Sequence, residues 1–136
     1  MSRVESWGGI DVLVVEQDDG VVDGRAARDR IGEAFMTGAA IVAIPVDRLE
    51  PAFFDLRSGV AGDILGVSAT YRSRLAIIGE LPEPAASSNA FAALVRESNA
   101  GTQHWFLPTL DALRDRLGGW GSGAAPRTTG SRENPG

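Results

Sequence analysis

From Ala40 to Pro45 the chain reads Ala-Ile-Val-Ala-Ile-Pro, six residues without a polar side chain. A continuous apolar run this short predicts a strand covered on both faces, since a half-exposed strand would alternate with polar residues. Leu75 to Ile78, closed by Gly79, repeats the pattern. Val12 to Glu16 is rich in β-branched residues and predicts a strand, and His104 to Leu107 predicts the last one.

The segments between these runs have helical spacing. Gly24 to Thr37 places Ala27, Ile31, Ala34 and Phe35 on one face, with Asp23 as N-cap and Gly38 as C-cap. Pro51 opens a short turn through Phe53 and Phe54, and Leu56, Val60, Ile64, Val67 and Tyr71 then form a helical stripe with Asp55 or Ser58 as cap. Ser87 or Ser88 caps a helix carrying Phe91, Leu94 and Val95 that ends at Asn99 to Gly101. Thr109 caps a final helix with Leu110, Leu113 and Leu117 on one side. Strands alternating with helices over short connections predict an α/β fold with right-handed crossovers and a mostly parallel sheet. A turn at Asp18 to Gly20, with Val21 and Val22 returning, predicts an N-terminal antiparallel hairpin. Residues 1–9 are expected to be an extension, residues 10–117 a single domain, and residues 118–136, poor in apolar side chains, a disordered tail.

Composition removes whole classes of chemistry. The 136 residues contain no cysteine, which excludes thiol nucleophiles, disulfides, iron–sulfur clusters and thiolate zinc sites. His104 is the only histidine, so a multi-histidine metal site within one chain is excluded, while a carboxylate site for a hard cation stays open. Every basic residue is arginine, which rules out a Schiff-base lysine and a P-loop lysine. The net charge of -5, with Arg25, Arg28 and Arg30 balanced by Asp23, Asp29 and Glu33, argues against nucleic-acid and anionic-membrane partners. Met1 to Gly9 lacks the pattern of a signal peptide, and no apolar run reaches the length of a membrane span; a cytoplasmic location is the expectation.

The block Phe53-Phe-Asp-Leu-Arg-Ser-Gly-Val-Ala-Gly-Asp-Ile-Leu65, together with Tyr71 to Gly79 and Glu97-Ser-Asn99, resembles an uncharacterised bacterial family, domain of unknown function 4180, over roughly residues 10 to 117. In element order, and in a Ser58-Gly59 pair at a helix start, the chain is more distantly similar to STAS-like, anti-sigma-factor-antagonist domains. That second resemblance implies a STAS-like fold and a regulatory interaction module, with Ser58 as a phosphorylation switch.

Each candidate residue also has a plain structural role. Gly59 and Gly62 in an opening helical turn ask for a reason, since glycine costs up to about 1 kcal/mol there. Close packing on the sheet is the expected reason, and close approach of a partner the alternative. Ser58 can be a simple cap, with Arg57 beside it. Asp55, Asp63 and Glu50 could do acid–base work or bind a cation, and are expected to be solvated surface groups. His104 has no nucleophile motif near it and is expected to be structural. Phe53 and Phe54 are consecutive; either one is exposed and anchors a partner, or the loop folds both inward.

The leading expectation is therefore a non-enzymatic regulatory or protein-interaction domain with no cofactor and no metal. It would meet an unidentified protein partner through Phe53, Phe54, Asp55, Arg57, Ser58, Gly59, Gly62 and Asp63. The alternative is a small-molecule-binding domain or hydrolytic enzyme, its pocket formed where Asp55, Arg57, Ser58, Arg72 and Asn99 converge at strand ends. A third expectation is a homo-oligomer paired through Trp105 and the first hairpin.

Overall fold

In the computed structural model, which describes residues 3–16 and 21–121, five strands form one sheet in the order β1-β2-β3-β4-β5. They are β1 (Arg3–Trp7), β2 (Ile10–Val14), β3 (Ile41–Pro45), β4 (Arg74–Ile78) and β5 (His104–Leu107). The first pair is antiparallel and the rest are parallel. The helices are α1 (Gly24–Thr37), α2 (Val60–Thr70), α3 (Asn89–Ala100) and α4 (Leu110–Gly121). The α/β class and the mixed sheet with its N-terminal hairpin are as the sequence predicts.

The hairpin itself lies elsewhere. Its turn is Gly8-Gly9, both at positive φ (61° and 84°), and Trp7 pairs with Ile10 across it. Two left-handed residues give the hairpin a twist that matches its strands, and glycine adopts that conformation freely. Arg3–Trp7 is thus a sheet strand and not an extension. Val22 does not return as an antiparallel strand; it makes an isolated parallel bridge to Leu49. The predicted turn at residues 18–20 lies outside the described residues. At the other end α4 continues to Gly121, past the predicted start of the tail at residue 118, and residues 122–136 again lie outside.

The central strands are apolar on both faces because both faces are covered. Leu13, Val42, Ile44, Leu75, Ile77 and Phe106 point to one side, into a core closed by α1, α2 and α3. Their neighbours Val12, Val14, Ile41, Ala43, Ala76 and Trp105 point to the other, against Leu113 and Leu117 of α4. The two-residue alternation of a strand sorts a continuous apolar run into two cores. Capping follows the sequence: Asp23 accepts from Ala26 N (2.8 Å), Ser88 from Phe91 N (3.1 Å) and Thr109 from Ala112 N (3.0 Å). No helix among the described residues is long and apolar enough to cross a membrane.

Candidate functional site

Helix α1 buries Ala27, Ile31 and Ala34. Phe35, expected on the same face, is 62% exposed, because one residue along a helix turns the side chain by about 100°. The next residue, Met36, is 81% exposed. Helix α2 also departs from the expected stripe. It begins at Val60, after Gly59 has taken the left-handed N-cap conformation (φ 83°), and so excludes Leu56. Its buried residues are Ala61, Ile64, Leu65 and Ser68, a face rotated from the predicted one, and Tyr71 is left 47% exposed.

The rotation has a local cause. His104 Nε2 on β5 lies 3.0 Å from Leu65 O and 2.8 Å from the Ser68 hydroxyl. Gln103 Nε2 donates to Ser68 O and Ser73 O at 3.3 and 3.0 Å. Two polar side chains, His104 of β5 and Gln103 just before it, thus pin the C-terminal half of α2, and the small Ala61 and Ser68 fit the inward face. Burial holds the His104 imidazole below its ordinary pKa of 6.5, while its bond to Leu65 acts in the opposite sense. Ser68 is fully buried and donates to Leu65 O (3.1 Å), so this serine–histidine contact is a structural clamp and not an accessible nucleophile.

Phe35 and Tyr71, both turned outward, meet edge to face with ring centroids 6.0 Å apart. Beside them runs an open groove of about 460 Å³ between Arg28 of α1 and Gly62, Asp63, Gly66 and Val67 of α2. A Cβ added at Gly62 or Gly66 would meet nothing within 4 Å. Close packing on the sheet, the expected reason for Gly62, is therefore not the reason; both glycines leave the helix backbone open on its solvent side. Gly59 has a separate explanation in its positive φ.

The residues singled out from sequence fall into three groups. Phe53 and Phe54 are both buried, Phe53 within 6.4 Å of Phe91 and Phe106 and Phe54 within 5.9 Å of Phe91, measured between ring centroids. The 3-10 turn Pro51–Phe54 breaks the regular alternation that would have forced one ring outward, so neither anchors a partner. Asp55, Arg57 and Ser58 are exposed at the entry to α2. Asp55 accepts from Arg57 N (3.1 Å), and the Ser58 hydroxyl donates to Ala52 O (2.6 Å) and accepts from Val60 N (3.1 Å). Only Gly62 and Asp63 reach the groove.

The expected ligand pocket does not assemble. Asp55 precedes α2 and Arg72 follows it, and an 11-residue helix separates its ends by about 16 Å. Asn99 is engaged elsewhere: its Oδ1 accepts from Phe106 N (2.7 Å) and its Nδ2 donates to Phe106 O (3.0 Å). It occupies the outer edge of β5 as a neighbouring strand would. Trp105 is buried, its Nε1 donating to Gly101 O (2.8 Å) and the Arg116 guanidinium lying 4.3 Å from its ring centroid, so it is not a surface for pairing between subunits. No group of three or more histidine, aspartate or glutamate side chains suited to a metal occurs among the described residues.

Sequence reasoning missed Arg28, Phe35, Gly66 and Tyr71 as members of one surface. One signal was present: Ala34, Phe35 and Met36 are consecutive, and three consecutive positions of a helix cannot all face one core. In comparisons with known proteins, the family model described as Domain of unknown function (DUF4180) matches residues 8–117. No curated protein and no solved structure matches the chain.

Proposed function

We propose, for a chain that belongs to the DUF4180 family, a non-catalytic role as a regulatory protein-interaction domain that docks through the outer face of α1 and α2. The observation that carries the proposal is the exposure of Phe35 and Tyr71 as a packed pair, beside a groove whose glycines leave backbone open. Single exposed apolar residues are ordinary, but aromatic side chains grouped beside a concavity mark surfaces that partners cover. The STAS-like resemblance supports the same reading, because a STAS-like domain would serve as a regulatory interaction module. Ser58 is the candidate switch within it. It is exposed just before the helix that lines the groove, and phosphorylation would replace its bond to Ala52 O with a dianion at the N-terminal end of that helix.

The test places a photo-crosslinking amino acid at position 35, or at the exposed Ala93 of α3 as control, in the native host. Docking through this face gives a discrete adduct from position 35 that is missing from position 93. No adduct, or the same adducts from both positions, would sink the proposal.

A further inference from the structure

We infer that the occupant of the α1–α2 face is a second copy of this chain, in a symmetric dimer whose two-fold axis runs along the groove and lays α1 of each copy over α2 of the other. The inference rests on the docking reading above and names its partner.

Charge carries the first part. Arg28 is the fifth residue of α1 and Asp63 the fourth of α2, so they stand near the same end of the groove on opposite walls. Both are exposed, and neither forms an ion pair among the described residues. Rotation by half a turn about the groove axis exchanges the walls. Arg28 of each copy then faces Asp63 of the other, giving two ion pairs among these four groups. The same rotation treats the aromatic end alike: Phe35 stands on one wall and Tyr71 on the other, so each ring meets its complement in the second copy. An axis across the groove would set the charged end of one copy over the aromatic end of the other and leave all four charges unpaired.

Shape carries the second part. Gly32 lies four residues after Arg28 and three before Phe35, on the same stripe of α1. Like Gly62 and Gly66, it has nothing within 4 Å of where a Cβ would be. Each glycine disfavours its helix relative to alanine, and no contact among the described residues accounts for any of the three. With α1 laid over α2 of a second copy, they let the two backbones approach closely.

The experiment is sedimentation velocity on the full chain from about 1 µM to about 1 mM, for wild type, Arg28→Asp, Asp63→Arg and the double variant carrying both. Circular dichroism melts show that each is folded. The wild type should pass from monomer to dimer within this range. Each single reversal opposes like charges at both pairs and should raise the dissociation constant by about tenfold or more, and the double variant should return to within about threefold of wild type. A wild type that stays monomeric overturns the inference. So does a dimer indifferent to the single reversals, or a double variant as weak as either one. The docking reading fails separately, through the crosslinking result. An adduct from position 35 whose mass is not twice that of the chain, with a monomeric wild type, keeps docking and discards self-association.

Discussion

Replacing Asn99 with alanine tests the finding that this residue closes the sheet. Its amide makes two bonds to one residue of the outermost strand, accepting from Phe106 N and donating to Phe106 O at 2.7 and 3.0 Å. The alanine variant leaves both backbone groups without their partner on a residue that is only 8% exposed. Each such loss costs about 1–2 kcal/mol, and the better helix propensity of alanine returns about 0.5 kcal/mol, so a net destabilisation of about 1.5–3.5 kcal/mol is expected. For a domain of this size that lowers Tm by about 6–14 °C. Asn99→Asp keeps the acceptor for Phe106 N but sets an oxygen against Phe106 O, and should be at least as damaging. Urea unfolding of the three proteins measures the difference, and amide hydrogen exchange locates it, with Phe106 losing protection first. If both variants unfold within about 0.5 kcal/mol of wild type, the clamp contributes nothing and Asn99 returns to the list of surface residues available to a ligand.

Two further outcomes follow from the same packing. Because burial lowers the folded-state pKa of His104 below 6.5, the unfolded chain takes up the proton first as pH falls. The contribution of His104 is therefore complete above pH 6.5 and is lost as pH drops from there toward the folded-state value; urea midpoints across this window should fall less steeply for His104→Gln than for wild type, and equal slopes would refute the assignment. Gly62→Ala and Gly66→Ala, whose new methyl groups meet nothing within 4 Å, should each raise the unfolding free energy at low micromolar concentration by about 0.5–1 kcal/mol, and a loss of stability in either would show that the backbone there is not open.

The sequence by itself determined the fold class and most of the elements. Runs such as Ala40 to Pro45 and Leu75 to Ile78 have no polar residue to present to water, and they could only be strands covered twice. Asp23, Ser88 and Thr109 begin their helices as their side chains dictate, because a cap is satisfied within three residues of its own position. The Gly8-Gly9 turn was legible too, but Arg3 to Trp7 is a half-exposed edge strand without a clean apolar alternation, and Asp18 to Gly20 offered a competing turn. The candidate surface was not legible, because it depends on how each helix is rotated about its axis. Phe35 and Tyr71 fit an inward stripe as well as Ala34 and Leu65 do when only spacing is counted. Tertiary contacts decided between them: the small faces of Ala61 and Ser68, and the grip of Gln103 and His104 on the end of α2, turned one set of side chains in and left the other in water. In the same way Phe53 and Phe54 could both be buried only because a 3-10 turn, stabilised by rings from α3 and β5, replaced the regular backbone that local spacing assumes. Local chemistry reaches along the chain for about one turn, whereas the choice of which face is buried belongs to residues more than thirty positions away, such as His104 acting on Leu65 and Ser68.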